Sequence, residues 1–205
     1  MTTMTSTMKS PRDTSAAIDA TNEYGPPVDY SFKRLTSFLD VPDEVPRKGQ
    51  KKKDCKNQNG KYNSTTLKFS NNTITDFEGF ESAVEMLLEN PSELSYLDLS
   101  INYIMKLDEA ILKYPNIKML YLHGNRIDKL EEIDKLGAFP NLISLTVHGN
   151  PIEDQAGFRS YILSHLPKLK NLNFSGVTKA DLKNATTWKT MYGNKKKKRR
   201  RKEED

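Results

Sequence analysis

Between Ile117 and Ile152 one eight-residue pattern of apolar and polar positions occurs twice, as Leu120-Tyr121-Leu122-His123-Gly124-Asn125-Arg126-Ile127 and as Leu145-Thr146-Val147-His148-Gly149-Asn150-Pro151-Ile152. The alternation at its start predicts a short strand with one buried face. The asparagine supplies an amide that bonds the backbone where the chain turns out of that strand. The same frame picks out Leu94, Leu97, Leu99, Asn102 and Ile104, then a more degenerate copy with Leu67, Phe69, Asn72 and Ile74. A last copy, Leu169, Leu172, Phe174 and Val177, keeps the apolar positions and loses the asparagine. The turn positions Asn72, Asn102, Asn125, Asn150 and Val177 are 30, 23, 25 and 27 residues apart. One such strand cannot bury its apolar face alone, so the copies must stack side by side. The irregular copies are the first and the last, as capping units are.

The segments between the strands predict the opposite layer. Thr75 or Asp76 is placed to cap a helix carrying Phe77, Phe80, Val84, Leu87 and Leu88 and ending at Pro91. Leu107, Ala110, Ile111 and Leu112 supply the second interval, and Leu130, Ile133, Leu136 and Phe139 the third, with Pro-Asn before the next strand in both. Phe158, Tyr161, Ile162, Leu163 and Leu166 predict an amphipathic helix before the last copy. Thr178 and Asp181 have the spacing of a capping box that opens a final helix, with Leu182, Ala185, Trp188 and Met191 on one side and Gly193 as its stop.

This repeat resembles the leucine-rich repeat. The cap formed by the helix after Asn150 and the asparagine-free strand resembles that of the short intracellular leucine-rich repeat proteins, which include outer-arm dynein light chain one and a spliceosomal U2 component. The expected fold class is α/β: a leucine-rich repeat solenoid of about five repeats with a parallel concave β-sheet, a helical convex side and helical caps. Four parts are expected. They are a mostly irregular segment over 1–61 with an ordered island near 26–39, a repeat domain over 62–177 including its C-terminal cap, a helix over 178–193, and a polybasic tail over 194–205.

The period of two also assigns the exposed concave positions. Thr66, Tyr96, Met119, Ser144 and Asn171 form one row, Lys68, Asp98, Tyr121, Thr146 and Asn173 the next, and Ser70, Ser100, His123, His148 and Ser175 the third. The expected partner-binding residues are Tyr96, Asp98, Met119, Tyr121, His123, Thr146, His148 and Asn173. Exposed Tyr and Met at the centre of a sheet suit a protein partner, through rigid aromatic area and an adaptable thioether. His123 and His148 occupy equivalent positions of adjacent repeats, which leaves three readings: a metal pair, for which Asp98 is the one carboxylate in register, a pH-sensitive contact, or plain polarity.

Charge changes the picture only at one end. Lys195 to Lys202 carry eight positive charges and Glu203 to Asp205 three negative ones, which accounts for the whole formal charge of +5 and leaves residues 1–194 neutral. A nucleic-acid contact is therefore expected only through the tail, with Lys195, Lys196, Arg199 and Arg200 as secondary contacts. The tail has three readings: a solvated end, a nuclear-import or nucleic-acid patch, and a contact for an acidic protein surface such as the tubulin tails. The aromatic island with Tyr30 and Phe32 is read either as an N-terminal cap or as a segment that folds on a partner. Trp188 is read as a packed residue or as a partner anchor. Arg47 to Lys61 is read as a solvated linker.

The single Cys55 excludes an internal disulfide framework, and Met1 to Ala20 lacks the apolar core of a secretory signal. No stretch approaches the roughly 20 apolar residues of a membrane span. The sequons at Asn63, Asn71 and Asn184 are then coincidental. There is no Gly-rich phosphate loop, G-x-S-x-G or H-E-x-x-H motif. The expectations are no enzymatic activity, no cofactor, no metal, no small-molecule substrate and no membrane.

Four phrases carry a closer resemblance within the short intracellular family: residues 26–32, 120–125, 145–151 and 174–181. It spans roughly residues 24–192. It implies a cytoplasmic, non-catalytic protein of ciliated cells, a component of the axoneme of cilium or flagellum, with tubulin or dynein-associated proteins as partners. The alternative is a nuclear adaptor of an RNA–protein complex with the tail as import signal.

Overall fold

The computed structural model describes residues 25–48 and 56–203, with side chains as far as Met191. Strands β1 (Val28–Asp29), β2 (Thr66–Lys68), β3 (Tyr96–Asp98), β4 (Met119–Tyr121), β5 (Ser144–Thr146), β6 (Asn171–Leu172) and β7 (Ser175–Gly176) form one sheet in sequence order. The first six run parallel, and β7 folds back antiparallel on β6. The pairing aligns Val28, Leu67, Leu97, Leu120, Leu145 and Leu172 in a single buried row, so the core runs under the sheet from end to end.

The asparagines hold this stack together. Asn102 donates its amide to Phe69 O and Leu99 O while its Oδ1 accepts from Ile74 N, and Asn125 and Asn150 repeat the arrangement one unit further on. Each side chain thus bonds its own repeat and the one before, which satisfies backbone groups buried at the turn. Asn72 does the same to a unit the repeat frame did not predict. Its Oδ1 accepts from Lys33 N and Leu35 N and its amide donates to Tyr30 O. Val28, Tyr30 and Leu35 therefore stand where Leu67, Phe69 and Ile74 stand in the next repeat, and the aromatic island is itself a repeat that caps the stack.

The residue before each consensus asparagine has a left-handed backbone: Asn71, Ile101, Gly124 and Gly149 have φ of 58°, 53°, 67° and 66°. Ile101 is the costly member, since a β-branched residue is strained there.

The convex layer begins with α1 (Phe80–Leu87). Its start differs from the predicted one: Asp76 Oδ1 accepts from Glu78 N in a local turn, which diverts Thr75 and Asp76 from capping, and Gly79 is the cap residue. A 3₁₀ turn over Glu109–Lys113, the single helical turn α2 (Glu131–Asp134) and α3 (Phe158–His165) continue the layer. Both ends press on a glycine. A Cβ on Gly79 would sit 2.6 Å from Leu39 Cδ2, and one on Gly157 would sit 2.6 Å from Trp188 Nε1. The N-terminal island and the final helix are thus packed parts of the domain.

That final helix, α4 (Lys179–Glu203), opens on the predicted capping box, with Thr178 N donating to Asp181 Oδ2 and Asp181 N to Thr178 Oγ1. It does not stop at Gly193. Glycine in a helix interior costs about 1 kcal/mol relative to alanine, which lowers helix propensity without forcing an end. Arg159 clamps the first turn through Nε and Nη2 to the two Asp181 oxygens, both at 2.9 Å, and holds that carboxyl well below the usual range. The expected linker is partly ordered, with Lys56 bridged to Tyr62 and Asn57 N donating to Lys61 O, while Cys55 lies outside the described residues.

Candidate functional site

The register places the predicted rows side by side: Thr66, Tyr96, Met119, Ser144 and Asn171 in one, Lys68, Asp98, Tyr121 and Thr146 in the next. At the centre the aromatic side chains touch. The Tyr96 and Tyr121 rings meet edge to face at 5.1 Å, and the imidazoles of His123 and His148 stack at 4.7 Å and 4°. Repeats of equal geometry put the two histidines two residues past the ends of adjacent strands, at the same height, which makes a parallel stack.

Phe174 joins this group, and the repeat frame assigned it to the core. Asn173 and Phe174 both have positive φ, so the chain reverses after Leu172 in place of extending the strand. An Asn that accepts the left-handed conformation, closely followed by Gly176, is the local signal for that reversal, and it competes with the strand frame. The turn throws the Phe174 ring onto the open face, 62 % exposed, where its centroid lies 5.4 Å from Tyr121, 5.7 Å from His123 and 5.5 Å from His148.

Asn173 consequently leaves the exposed row. Its Oδ1 accepts from Val147 N and His148 N, and for Val147 it replaces the backbone acceptor that a longer β6 would have supplied. Ser175 pairs in β7 and is also displaced from its row. Thr146 is buried beneath the histidines, its hydroxyl 2.9 Å from His123 Nδ1. Asp98 is 9 % exposed, and its Oδ1 accepts from Ser100 N and Ser100 Oγ.

The electrostatics follow from this packing. Burial, and then the Asp98 carboxylate, push the Tyr96 and Tyr121 phenols up, so both remain protonated at neutral pH. Burial and the neighbouring His148 lower His123, against the opposing pull of Asp98. Unfolding therefore raises the proton affinity of His123. Its contribution to stability is present above the unfolded value near 6.5 and declines as pH falls through and below it. The histidine ring resonances should show a His123 midpoint below 6.5 in the folded chain, and urea unfolding at pH 5.5 should give lower stability than at pH 7.5.

The secondary contacts divide. Tyr30 is 2 % exposed because its ring stacks on Phe69 as part of the cap, so it has no face for a partner. Phe32 is exposed beneath the Arg47 guanidinium, 5.3 Å from its centroid. Trp188 packs edge to face on Tyr161 at 5.3 Å, which is the packed reading of that residue. Lys195, Lys196, Arg199 and Arg200 fall on α4, beyond the described side chains. Among the described residues there is no group of three His, Cys, Asp or Glu placed to hold a metal, and no helix long and apolar enough to cross a membrane.

Comparison with known proteins matches residues 43–203 to the leucine-rich repeat family. Leucine-rich repeat-containing protein 51 of Bos taurus is 44 % identical over 167 residues, covering 81 % of this chain and 86 % of that one. The Homo sapiens protein of the same name is 40 % identical over 166 residues with the same coverage. Among solved structures, the Drosophila melanogaster SNF/U2A′ complex matches with a TM-score of 0.53 and 23 % identity, over 62 % of this chain and 68 % of that one, a likeness of fold.

Proposed function

The chain belongs to the leucine-rich repeat family, and from that premise we propose that it is a non-catalytic interaction module of the ciliary or flagellar axoneme, holding a helix or extended peptide of a tubulin- or dynein-associated protein on its concave face. The observation that supports this most is the half-buried aromatic group of Tyr96, Tyr121, His123 and His148 with the exposed Phe174 beside it, set on a hydrogen-bonded sheet whose positions are fixed before a partner arrives. Rigid aromatic side chains at the centre of an interface lose little entropy on binding and carry a large share of its energy. The axonemal setting and cytoplasmic localisation come from the resemblance of the terminal phrases to a ciliary branch of the short intracellular family.

The test is proximity labelling with the tagged full chain in ciliated cells, fractionated into axoneme, cytosol and nucleus. Tubulin- and dynein-type neighbours are expected. The double substitution Tyr121→Ala with His123→Ala should remove them, since each hot-spot truncation costs about 2 kcal/mol or roughly 30-fold in affinity. Because both side chains lie on the open face, circular dichroism should show an unchanged fold. Unchanged capture by the double variant removes the concave face from the proposal.

A second reading, a nuclear adaptor in an RNA–protein complex, is favoured by the eight consecutive basic residues Lys195 to Lys202. Deleting them separates the two: loss of microtubule co-sedimentation supports the axonemal role, and loss of nuclear accumulation supports the adaptor.

A further inference from the structure

The middle row of the open face carries three charges in succession. Register places Asp29 beside Lys68 and Lys68 beside Asp98, so two carboxylates flank one ammonium and one negative charge is left over. Asp98 is the more buried of the two carboxylates. Ser100 occupies its Oδ1, at 3.0 Å from the backbone nitrogen and 2.6 Å from the hydroxyl. Among the described residues no basic side chain forms an ion pair with Asp98 and none donates to its Oδ2. Ser100 replaces the hydration lost at Oδ1, and Oδ2 is not among the atoms sealed from solvent, so it is within reach of a donor from outside.

Its surroundings are suited to a cation. Tyr121 follows it in the row, Tyr96 lies two residues earlier on the same face, and Phe174 stands edge to face against Tyr121. Ring faces are negative and attract cations over them. Lys68 already responds to this field, its Nζ 5.9 Å from the Tyr96 centroid. Elsewhere on the molecule the chain stacks its own guanidinium on a tyrosine, with Arg126 4.0 Å from the Tyr103 centroid.

We propose that the concave face takes an arginine side chain of its protein partner, its guanidinium lying against Tyr121 and Tyr96 and pairing with Asp98. This rests on the concave-face reading above and supplies the partner's chemistry. Arginine fits better than lysine because a planar guanidinium stacks on a ring and presents donors in its plane to a carboxylate at the same time. The apolar rim from Phe174 strengthens that pairing by excluding water.

The probe is N-acetyl-arginine amide, titrated into the isotopically labelled full chain and followed by NMR, with N-acetyl-citrulline amide as the neutral isostere. Saturable shifts are expected at Asp98, Tyr96, Tyr121 and Phe174, at least tenfold weaker in affinity for citrulline. Asp98→Asn keeps an oxygen that accepts from Ser100 and so keeps the turn, and it too should weaken the arginine response at least tenfold with the remaining spectrum unchanged. An equal response to citrulline, an unaltered response in Asp98→Asn, or no response at these residues overturns the assignment. If the arginine response is absent while Tyr121→Ala with His123→Ala still abolishes partner capture, only the arginine assignment falls. If capture survives as well, the concave-face reading falls with it.

Discussion

Replacing Phe38 by alanine is expected to destabilise the domain by about 3–5 kcal/mol, the usual cost of deleting a buried phenylalanine. The ring is 1 % exposed and meets Phe69 at 5.1 Å and Phe80 at 5.0 Å, both edge to face, and Phe77 at 6.0 Å. It is the keystone between the N-terminal island and the first helix. Urea unfolding should be read by circular dichroism and by the fluorescence of Trp188, which sits at the opposite end of the stack. A loss below about 1 kcal/mol would mean that the island is not part of the cooperative core. Coincident transitions from the two probes would show that the repeats unfold together, and separated ones that the stack unfolds from its N-terminal end.

An effect of similar size is expected from Asn125→Ala, for a different reason. Its Oδ1 accepts from Ile104 N at 3.0 Å, and its amide donates to Leu99 O and Leu122 O, both at 2.9 Å. Truncation leaves Ile104 N without a partner, which costs about 1–3 kcal/mol when buried, and removes one of two donors from Leu99 O and Leu122 O, which keep Asn102 and Asn150, at about 1 kcal/mol each, so a total of about 3 kcal/mol or more follows. Asn173→Ala at the edge of the sheet strips Val147 N and His148 N of their acceptor and bridges no carbonyls. It should cost less, because these bonds are half-buried and water can take the place of the lost acceptor. Equal losses at the two positions would show that bridging adjacent repeats adds nothing to the role of the internal asparagines.

The two asparagines also show where sequence is informative. The register of β2 to β5 was legible because alternation and a fixed asparagine admit one frame, and the open-face positions of Tyr96, Met119, Tyr121, His123 and His148, each half-buried, follow from it by parity. The first unit was hidden because Lys33 stands where the asparagine belongs. An outermost repeat has no earlier strand whose carbonyls need an amide, so the marker has nothing to do there. Phe174 was misassigned because its apolar character satisfied the strand frame while Asn173 and Gly176 satisfied a reversal, and hydrophobic period alone cannot rank the two. Parity gives direction without depth, which is why Thr146 and Asp98 were read as open and lie largely buried. Their covering atoms come from side chains of neighbouring strands.

The reversal at β7 bears on how such a chain can grow. A parallel sheet ordinarily offers its last strand as a template for another, and short edge strands and prolines are common means of discouraging this. Among the described residues one border is the two-residue β1 preceded by Pro26 and Pro27, and the other is occupied by the chain's own antiparallel strand. Copying a repeat onto either border would therefore set a parallel strand against an edge that disfavours it. A longer descendant of this protein would arise most readily by duplication between the two borders, where each inserted asparagine would find a preceding repeat to bridge.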